Sequence, residues 1–282
     1  MTRQLLLIVA VVFGALAVPP ASAQDAASEL MPYAPTDAGQ LIALSPDGSM
    51  VAGMQRDTGA FCTFTVPSGE TIACADLKER SIRVQRSEVR WSPDNQLIVF
   101  AEPAFETGRD GDLWLFGART GHLTNLTGEG DVGDFQIIDR AGQTADVYID
   151  IAPAWSPDGS TIAFSRTTFP VGSDNWPSDL MLLDLATGEV TPLLRVDPAR
   201  FGVLSGGLMG WSPDGGTIYA TAWFTFDDPR NGVWAFDVAS GTGAQLVGGL
   251  NVPDFTGSVA LIDISPAGDW LGIVDQRMLE MS

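Results

Sequence analysis

The turn Ser156-Pro157-Asp158-Gly159 sits between two short apolar runs in AWSPDGSTIAF, and the chain repeats it. Copies stand in LIALSPDGSMVAGM at Ser45, VRWSPDNQLIVFAE at Ser92, MGWSPDGGTIYATA at Ser212 and IDISPAGDWLGIVD at Ser265. The intervals between the five copies are 47, 64, 56 and 53 residues. Proline presets φ at the second turn position, serine and aspartate bond the local backbone, and glycine takes positive φ. Asn95 replaces the glycine in the second copy, and asparagine also tolerates that conformation. Each copy therefore predicts a hairpin, such as Ala152–Trp155 paired with Thr161–Ser165.

A second element follows each of the first four copies: GAFCTFTVPSGETIAC, GDLWLFGARTGHLTNLT, SDLMLLDLATGEVTPLL and NGVWAFDVASGTGAQLV. Each reads as a strand, a glycine-containing turn and another strand. A unit of four antiparallel strands near 50 residues, repeated in series, is the pattern of a β-propeller blade. The expected fold is all-β, with blades at about 38–80, 86–128, 149–196 and 206–249 and a partial fifth at 258–282. Two readings of the partial blade stay open. The sequence is a piece of a six- to eight-bladed ring, or a five-bladed ring is finished imperfectly. Trp91, Trp155 and Trp211 precede the turn in three copies, a placement that suits packing between blades rather than a ligand cage.

The pattern WSPDGxxIAFxS followed by DLxLxDxxTGExxxLT resembles the WD-like repeat of the TolB family, over residues 38–282. Related repeats occur in propeller domains of prolyl-oligopeptidase-type hydrolases. The resemblance implies a protein-binding platform in the bacterial periplasm or outside the cell. It is specific for fold and nearly silent on function.

The first residues read separately from the repeat. Arg3, the apolar run Leu5–Val18 and Ala21-Ser22-Ala23 form a secretory signal pattern, expected to be cleaved after Ala23. The alternative is an uncleaved anchor, but the run of about 14 residues is short of the roughly 20 that a spanning helix needs. Residues 24–37 read as a flexible lead-in. The chain is thus expected to be secreted or periplasmic, with no membrane insertion after cleavage. Cys62 and Cys74 flank a hairpin centred near Ser68 and are expected to form a cross-strand disulfide.

The formal charge of −20 and a single lysine, Lys78, disfavour nucleic acid and anionic lipid as partners. In a four-stranded blade the Ser-Pro-Asp-Gly and Thr-Gly turns share one rim. The long irregular segments and the blade-to-blade connections share the other, and binding residues concentrate on such loops. Those segments carry Glu102, Glu106, Asp110, Asp131, Asp134, Asp174, Trp176, Asp179, Phe224, Asp227 and Asp228. Carboxylates with aromatic rings suit a cationic or amphipathic protein or peptide; solvated loops without a ligand are the competing reading.

No cofactor is expected. Calcium stays open as an alternative, with DGD at Asp110–Asp112 and GEGDVGD at Gly128–Asp134 as its only hints, since neither matches a calcium loop. His122, the one histidine, sits in a turn, and GVLSGG around Ser205 lacks the first glycine of a nucleophile elbow. The expected function is a non-enzymatic binding or scaffold module. The alternatives are a propeller domain of a larger hydrolase whose catalytic domain is absent, or a calcium- or carbohydrate-binding propeller.

Overall fold

A computed structural model of the chain describes residues 38–78, 82–102, 111–128, 146–172, 177–195, 209–222, 228–248, 259–265 and 267–275. The signal pattern (1–23) and the lead-in (24–37) lie outside the described residues. Four four-stranded antiparallel sheets and one two-stranded sheet follow one another in chain order. The first contains β1 (Ala38–Leu44), β2 (Met50–Gln55), β3 (Phe61–Thr65) and β4 (Thr71–Ala75). The second contains β5 (Arg90–Trp91), β6 (Leu97–Ala101), β7 (Leu113–Gly117) and β8 (Leu123–Asn125), after a 3-10 turn at Arg86–Glu88. The third contains β9 (Val147–Trp155), β10 (Thr161–Phe169), β11 (Ser178–Asp184) and β12 (Val190–Arg195). The fourth contains β13 (Gly210–Trp211), β14 (Thr217–Ala222), β15 (Gly232–Asp237) and β16 (Gly243–Val247). The hairpin β17 (Val259–Ile264) and β18 (Leu271–Asp275) forms the partial fifth. Every sheet is a meander, and the first strands lie side by side in the order β1, β5, β9, β13, β17. These are propeller blades. Among the described residues no helix is long and apolar enough to cross a membrane.

The core lies between blades, as expected for sheets with two apolar faces. Met50, Ala52 and Phe61 of the first blade meet Trp91, Ile98, Phe100 and Phe116 of the second. The Phe61 ring stands 5.3 Å from that of Phe100 and 5.1 Å from that of Phe116. Val99 and Leu113 meet Trp155, Ile162 and Phe164 across the next seam, and Ala154, Ala163 and Leu180 meet Ile218, Trp234 and Phe236 across the third. Each of the fully buried Phe, Leu, Ile, Val and Met side chains contributes about 1.5–3 kcal/mol on burial.

The tryptophans before the turns stitch these seams. The Trp91 indole N–H donates to the Ala43 carbonyl at 3.1 Å, Trp155 to Arg90 at 3.0 Å, and Trp211 to Ala154 at 3.1 Å. Each acceptor is the residue two before the turn serine of the preceding blade, so one geometry occurs three times. In the fifth copy Ile264 replaces the tryptophan and covers Gly210, where a Cβ would meet Ile264 Cδ1 at 2.5 Å.

The turns also repeat one geometry. The serine hydroxyl donates to the aspartate Oδ1 two residues on, at 2.6–2.8 Å in Ser45, Ser92, Ser156 and Ser212. The same serine Oγ accepts the amide five residues on, which closes the hairpin. Gly159 has φ +73° and Asn95 φ +62°, the conformation the sequence requires there. The fifth copy has Ala267 in the aspartate slot, and Ser265 donates instead to Asp269 at 2.8 Å. The carboxylate is kept, supplied from two residues later.

Two strands are longer than the repeat suggests. β9 and β10 run to nine residues each, past the expected 152–155 and 161–165. A bulge between the pairs Ala163↔Ala154 and Ser165↔Ile151 lets β9 continue. Within it Ala152 adopts φ +57°, a conformation that costs an alanine roughly 1–2 kcal/mol. Its N–H turns to Glu88 Oε2 of the preceding blade at 2.8 Å. The disulfide forms as expected: Cys62 and Cys74 are register partners on β3 and β4 and are bonded.

Candidate functional site

The first turns of successive blades stand side by side on one rim. The Asp47 N–H donates to Asn95 Oδ1 at 3.2 Å. A Cβ at Gly159 would meet Pro93 Cδ at 3.6 Å, and one at Gly215 would meet Pro157 Cδ at 3.9 Å. The longer connections therefore leave from the opposite rim. That rim carries a polar cluster at the seam of the second and third blades, built by the extension of β9 and β10.

Asp150 on β9 and Arg166 on β10 are register partners. The guanidinium grips the carboxylate with both arms, Nε to Oδ1 at 2.8 Å and Nη2 to Oδ2 at 2.7 Å. Asp150 is 1% exposed. Arg166 also lies 4.9 Å over the Tyr148 ring and 5.6 Å over that of Phe164. Fork-to-fork pairing and ring stacking together fix the guanidinium in one orientation.

The second blade closes onto this pair through its backbone. Gly111 N–H donates to the Tyr148 carbonyl at 3.2 Å, and Asp150 N–H donates to the Gly111 carbonyl at 2.7 Å. This short parallel bridge, Gly111↔Ile149, carries Asp112 to the seam. Asn125 Nδ2 donates to Asp112 Oδ2 at 2.6 Å. The Asn125 Oδ1 accepts from Thr127 N–H at 3.1 Å and Gly128 N–H at 2.7 Å. Thr127 Oγ1 accepts the Leu113 amide at 3.0 Å. Across the β6–β7 rung, Glu102 N–H donates to the Asp112 carbonyl at 3.0 Å, and Glu102 Oε2 accepts the Trp114 indole at 3.0 Å.

Among the described residues, Asp112 and Asp150 lie beside the Arg166 guanidinium, with Glu102 at the border of the cluster. Burial pushes the Asp112 carboxyl above its ordinary value, against the Asn125 bond and the Arg166 charge. Burial also pushes Asp150 up; the Arg166 bonds and charge and the Thr127 bond oppose it, and the Asp112 charge adds to it. Arg166 bonds Asp150 directly, whereas Asp112 feels it through its charge alone. Glu88, at the inner part of the same seam, is likewise raised by burial, with the Ala152 amide and Arg90 opposing.

Of the residues singled out in the sequence, three lie in described segments. Glu102 borders the cluster and is engaged by Trp114. Asp179 lies on β11, opposite Arg166 in register. Asp228 is engaged within its own loop, where Arg230 Nη2 meets Oδ2 at 2.6 Å and Nε meets Oδ1 at 2.9 Å. The structure therefore joins Glu102 to the cluster and holds Asp228 in a separate local ion pair. Glu106, Asp110, Asp131, Asp134, Asp174, Trp176, Phe224 and Asp227 lie outside the described residues, as does Ser205. His122 is exposed on the β7–β8 turn, on the short-turn rim. Among the described residues no group of three or more His, Cys, Asp or Glu is placed to hold a metal ion.

Sequence reasoning did not select Asn125, Tyr148, Asp150 or Arg166, and met Asp112 only inside DGD. Asp150 and Arg166 become partners only when β9 extends through a bulge. Asp112 joins them from another blade.

No protein-family model matches the sequence, and no curated protein matches it. Solved structures do. Hydrazine synthase from Kuenenia stuttgartiensis is 18% identical with a TM-score of 0.52, covering 83% of this chain and 61% of that one. The likeness is one of fold. TolB from Acinetobacter baumannii is 16% identical with a TM-score of 0.46, covering 82% of this chain and 53% of that one. An oligogalacturonate lyase in complex with manganese is 13% identical with a TM-score of 0.49, covering 75% and 53%. The chain spans between 53% and 61% of the length of these three structures.

Proposed function

We propose that the chain is an exported, non-enzymatic propeller that binds a protein or peptide on its long-loop rim. The partner presents basic side chains together with apolar ones. The observation that carries this reading is the gathering of Asp112, Asp150 and Glu102 at the seam of the second and third blades. Asp112 and Asp150 lie there beside the Arg166 guanidinium and the Tyr148 ring, at the borders of two long connections. A basic side chain entering from the rim is attracted to these carboxylates, and their partial desolvation strengthens the attraction. The connections themselves add Glu106, Asp110, Asp131 and Asp134 in sequence. The Cys62–Cys74 disulfide supports an oxidising compartment, in keeping with the signal pattern. The single histidine on the opposite rim supports a binding rather than a catalytic role.

The test is capture of partners from an envelope extract by wild type and by Asp131→Lys/Asp134→Lys. Loss of a partner that wild type retains supports the reading. Equal recovery by both proteins counts against it.

A further inference from the structure

We propose that Asp214 is the site, among the turns of the repeat, at which the main chain isomerises to isoaspartate. Three copies of the turn place glycine after the aspartate: Asp47-Gly48, Asp158-Gly159 and Asp214-Gly215. Asn95 follows Asp94 in the second copy, and the fifth has Ala267 in the aspartate slot. Glycine has no Cβ to shield its nitrogen, so that nitrogen reaches the side-chain Cγ of the residue before it. A bond forms from N to Cγ, the amide proton and the carboxyl hydroxyl leave as water, and a cyclic imide results. Water then adds to one ring carbonyl. Breaking the new bond restores aspartate; breaking the original peptide bond routes the main chain through Cγ. The net change is an isomerisation that needs no co-reactant other than water.

All three turns hold the nucleophile alike. The Gly48, Gly159 and Gly215 amides donate to the carbonyls of Ser45, Ser156 and Ser212, each at 2.9 Å. The three glycines have φ between +71° and +73°. The carboxylates are held differently. In each turn the serine hydroxyl and the amide two residues on both bond the aspartate Oδ1. Ser49 adds its hydroxyl to both oxygens of Asp47, at 2.9 and 3.0 Å, and Ser160 adds its hydroxyl to Asp158 Oδ1 at 2.8 Å. Gly216 stands in the same slot after Asp214 and has no hydroxyl to give. A carboxylate must leave these bonds and turn toward the glycine nitrogen before it reacts, and Asp214 has fewer to leave than Asp47 or Asp158. All three are exposed on the short-turn rim, where water reaches them. The product inserts a carbon into the main chain two residues after Ser212, whose Oγ accepts the Thr217 amide at 2.9 Å and whose neighbour Trp211 bonds Ala154. The change therefore acts on the seam of the third and fourth blades, independently of what the opposite rim binds.

Peptide mapping with electron-based fragmentation, after prolonged incubation of the folded chain at neutral pH, tests it. Isoaspartate accumulates at Asp214 about fivefold faster than at Asp158, the factor that one hydrogen bond of ordinary strength contributes, and slowest at Asp47. Gly216→Ser supplies the missing hydroxyl and lowers the rate at Asp214 to that of Asp158; a Cβ there stands 3.4 Å from Asp214 Oδ1, an ordinary contact. Ser160→Ala raises the rate at Asp158 to that of Asp214. In denaturant, where the turns are lost, the three sites react at comparable rates. Equal rates at the three sites in the folded protein, no isoaspartate at Asp214, or a rate there that Gly216→Ser leaves unchanged would each overturn the inference. So would the folded order persisting in denaturant, since the cause would then lie in the local sequence rather than in the turn.

Discussion

The indole of Trp155 donates to the carbonyl of Arg90, 65 residues earlier and one blade away, at 3.0 Å. Trp91 and Trp211 repeat the bond to Ala43 and Ala154. The tryptophan before each turn is thus a seam residue, joining apolar area to a directed bond at the inner strands. Trp155→Phe keeps most of the packing, loses the bond and leaves a backbone carbonyl short of a partner, at a cost of about 1 kcal/mol. Trp155→Ala adds a cavity and costs about 3–5 kcal/mol. Urea denaturation of both variants checks this ordering; equal losses would show that the bond contributes nothing beyond packing.

Two sets of carboxyl groups give the stability profile opposite slopes on its two sides. The turn residues Asp47, Asp94, Asp158, Asp184, Asp214 and Asp237 are all held below the usual aspartate value by hydrogen bonds. Asp158 falls to about 2. Their contribution is present above the unfolded value of 3.8 and is lost as pH falls through the folded values. Exposure to solvent keeps each contribution small.

Glu88, Asp112 and Asp150 are raised by burial, with the reverse sign. Their cost begins as pH rises past the unfolded values of 4.5 for Glu88 and 3.8 for the aspartates, and is complete above the folded values. Stability therefore peaks on the acid side, near about pH 4–5, and declines toward neutrality. Glu88→Gln retains an acceptor for the Ala152 amide and flattens that decline. Denaturation midpoints between about pH 2 and pH 8 test this, and a steady rise to neutral pH would contradict it.

The disulfide closes a short loop, since the cysteines are 12 apart in sequence. Cys62 is fully buried. Replacing both cysteines by alanine lowers stability by about 3 kcal/mol on the loop-entropy scale. Reduction of the wild type lowers its melting temperature in the same direction, while the double variant is insensitive to reductant. Equal melting temperatures for oxidised and reduced wild type would show that the crosslink adds nothing to the blade.

The blades were legible in the sequence because their signal is local. Ser156-Pro157-Asp158-Gly159 and its copies specify a turn within four residues, and the flanking apolar runs specify the strands. Trp91, Trp155 and Trp211 could be assigned to seams from their shared position alone. The cluster at the second seam was not legible. Asp150 meets Arg166 only because β9 bulges at Ala152 and runs past the length of its counterparts. Asp112 and Asn125 reach it from another blade. In the fifth copy Ala267 fills the aspartate slot of the repeat, and only the folded turn shows Asp269 taking over the serine bond.

Calorimetric titration decides whether the long-loop rim is the binding rim. The probe is an amphipathic peptide of alternating basic and aromatic residues, used against wild type and two double variants of equal charge change. Asp131→Lys/Asp134→Lys alters the long-loop connection between the second and third blades. Glu70→Lys/Glu189→Lys alters exposed short turns on the other rim. Wild type and the short-turn variant are expected to bind, with affinity at least tenfold weaker in the long-loop variant, about 1.4 kcal/mol. Equal weakening in both variants would reduce the interaction to net charge and rule out the long-loop rim as the binding surface.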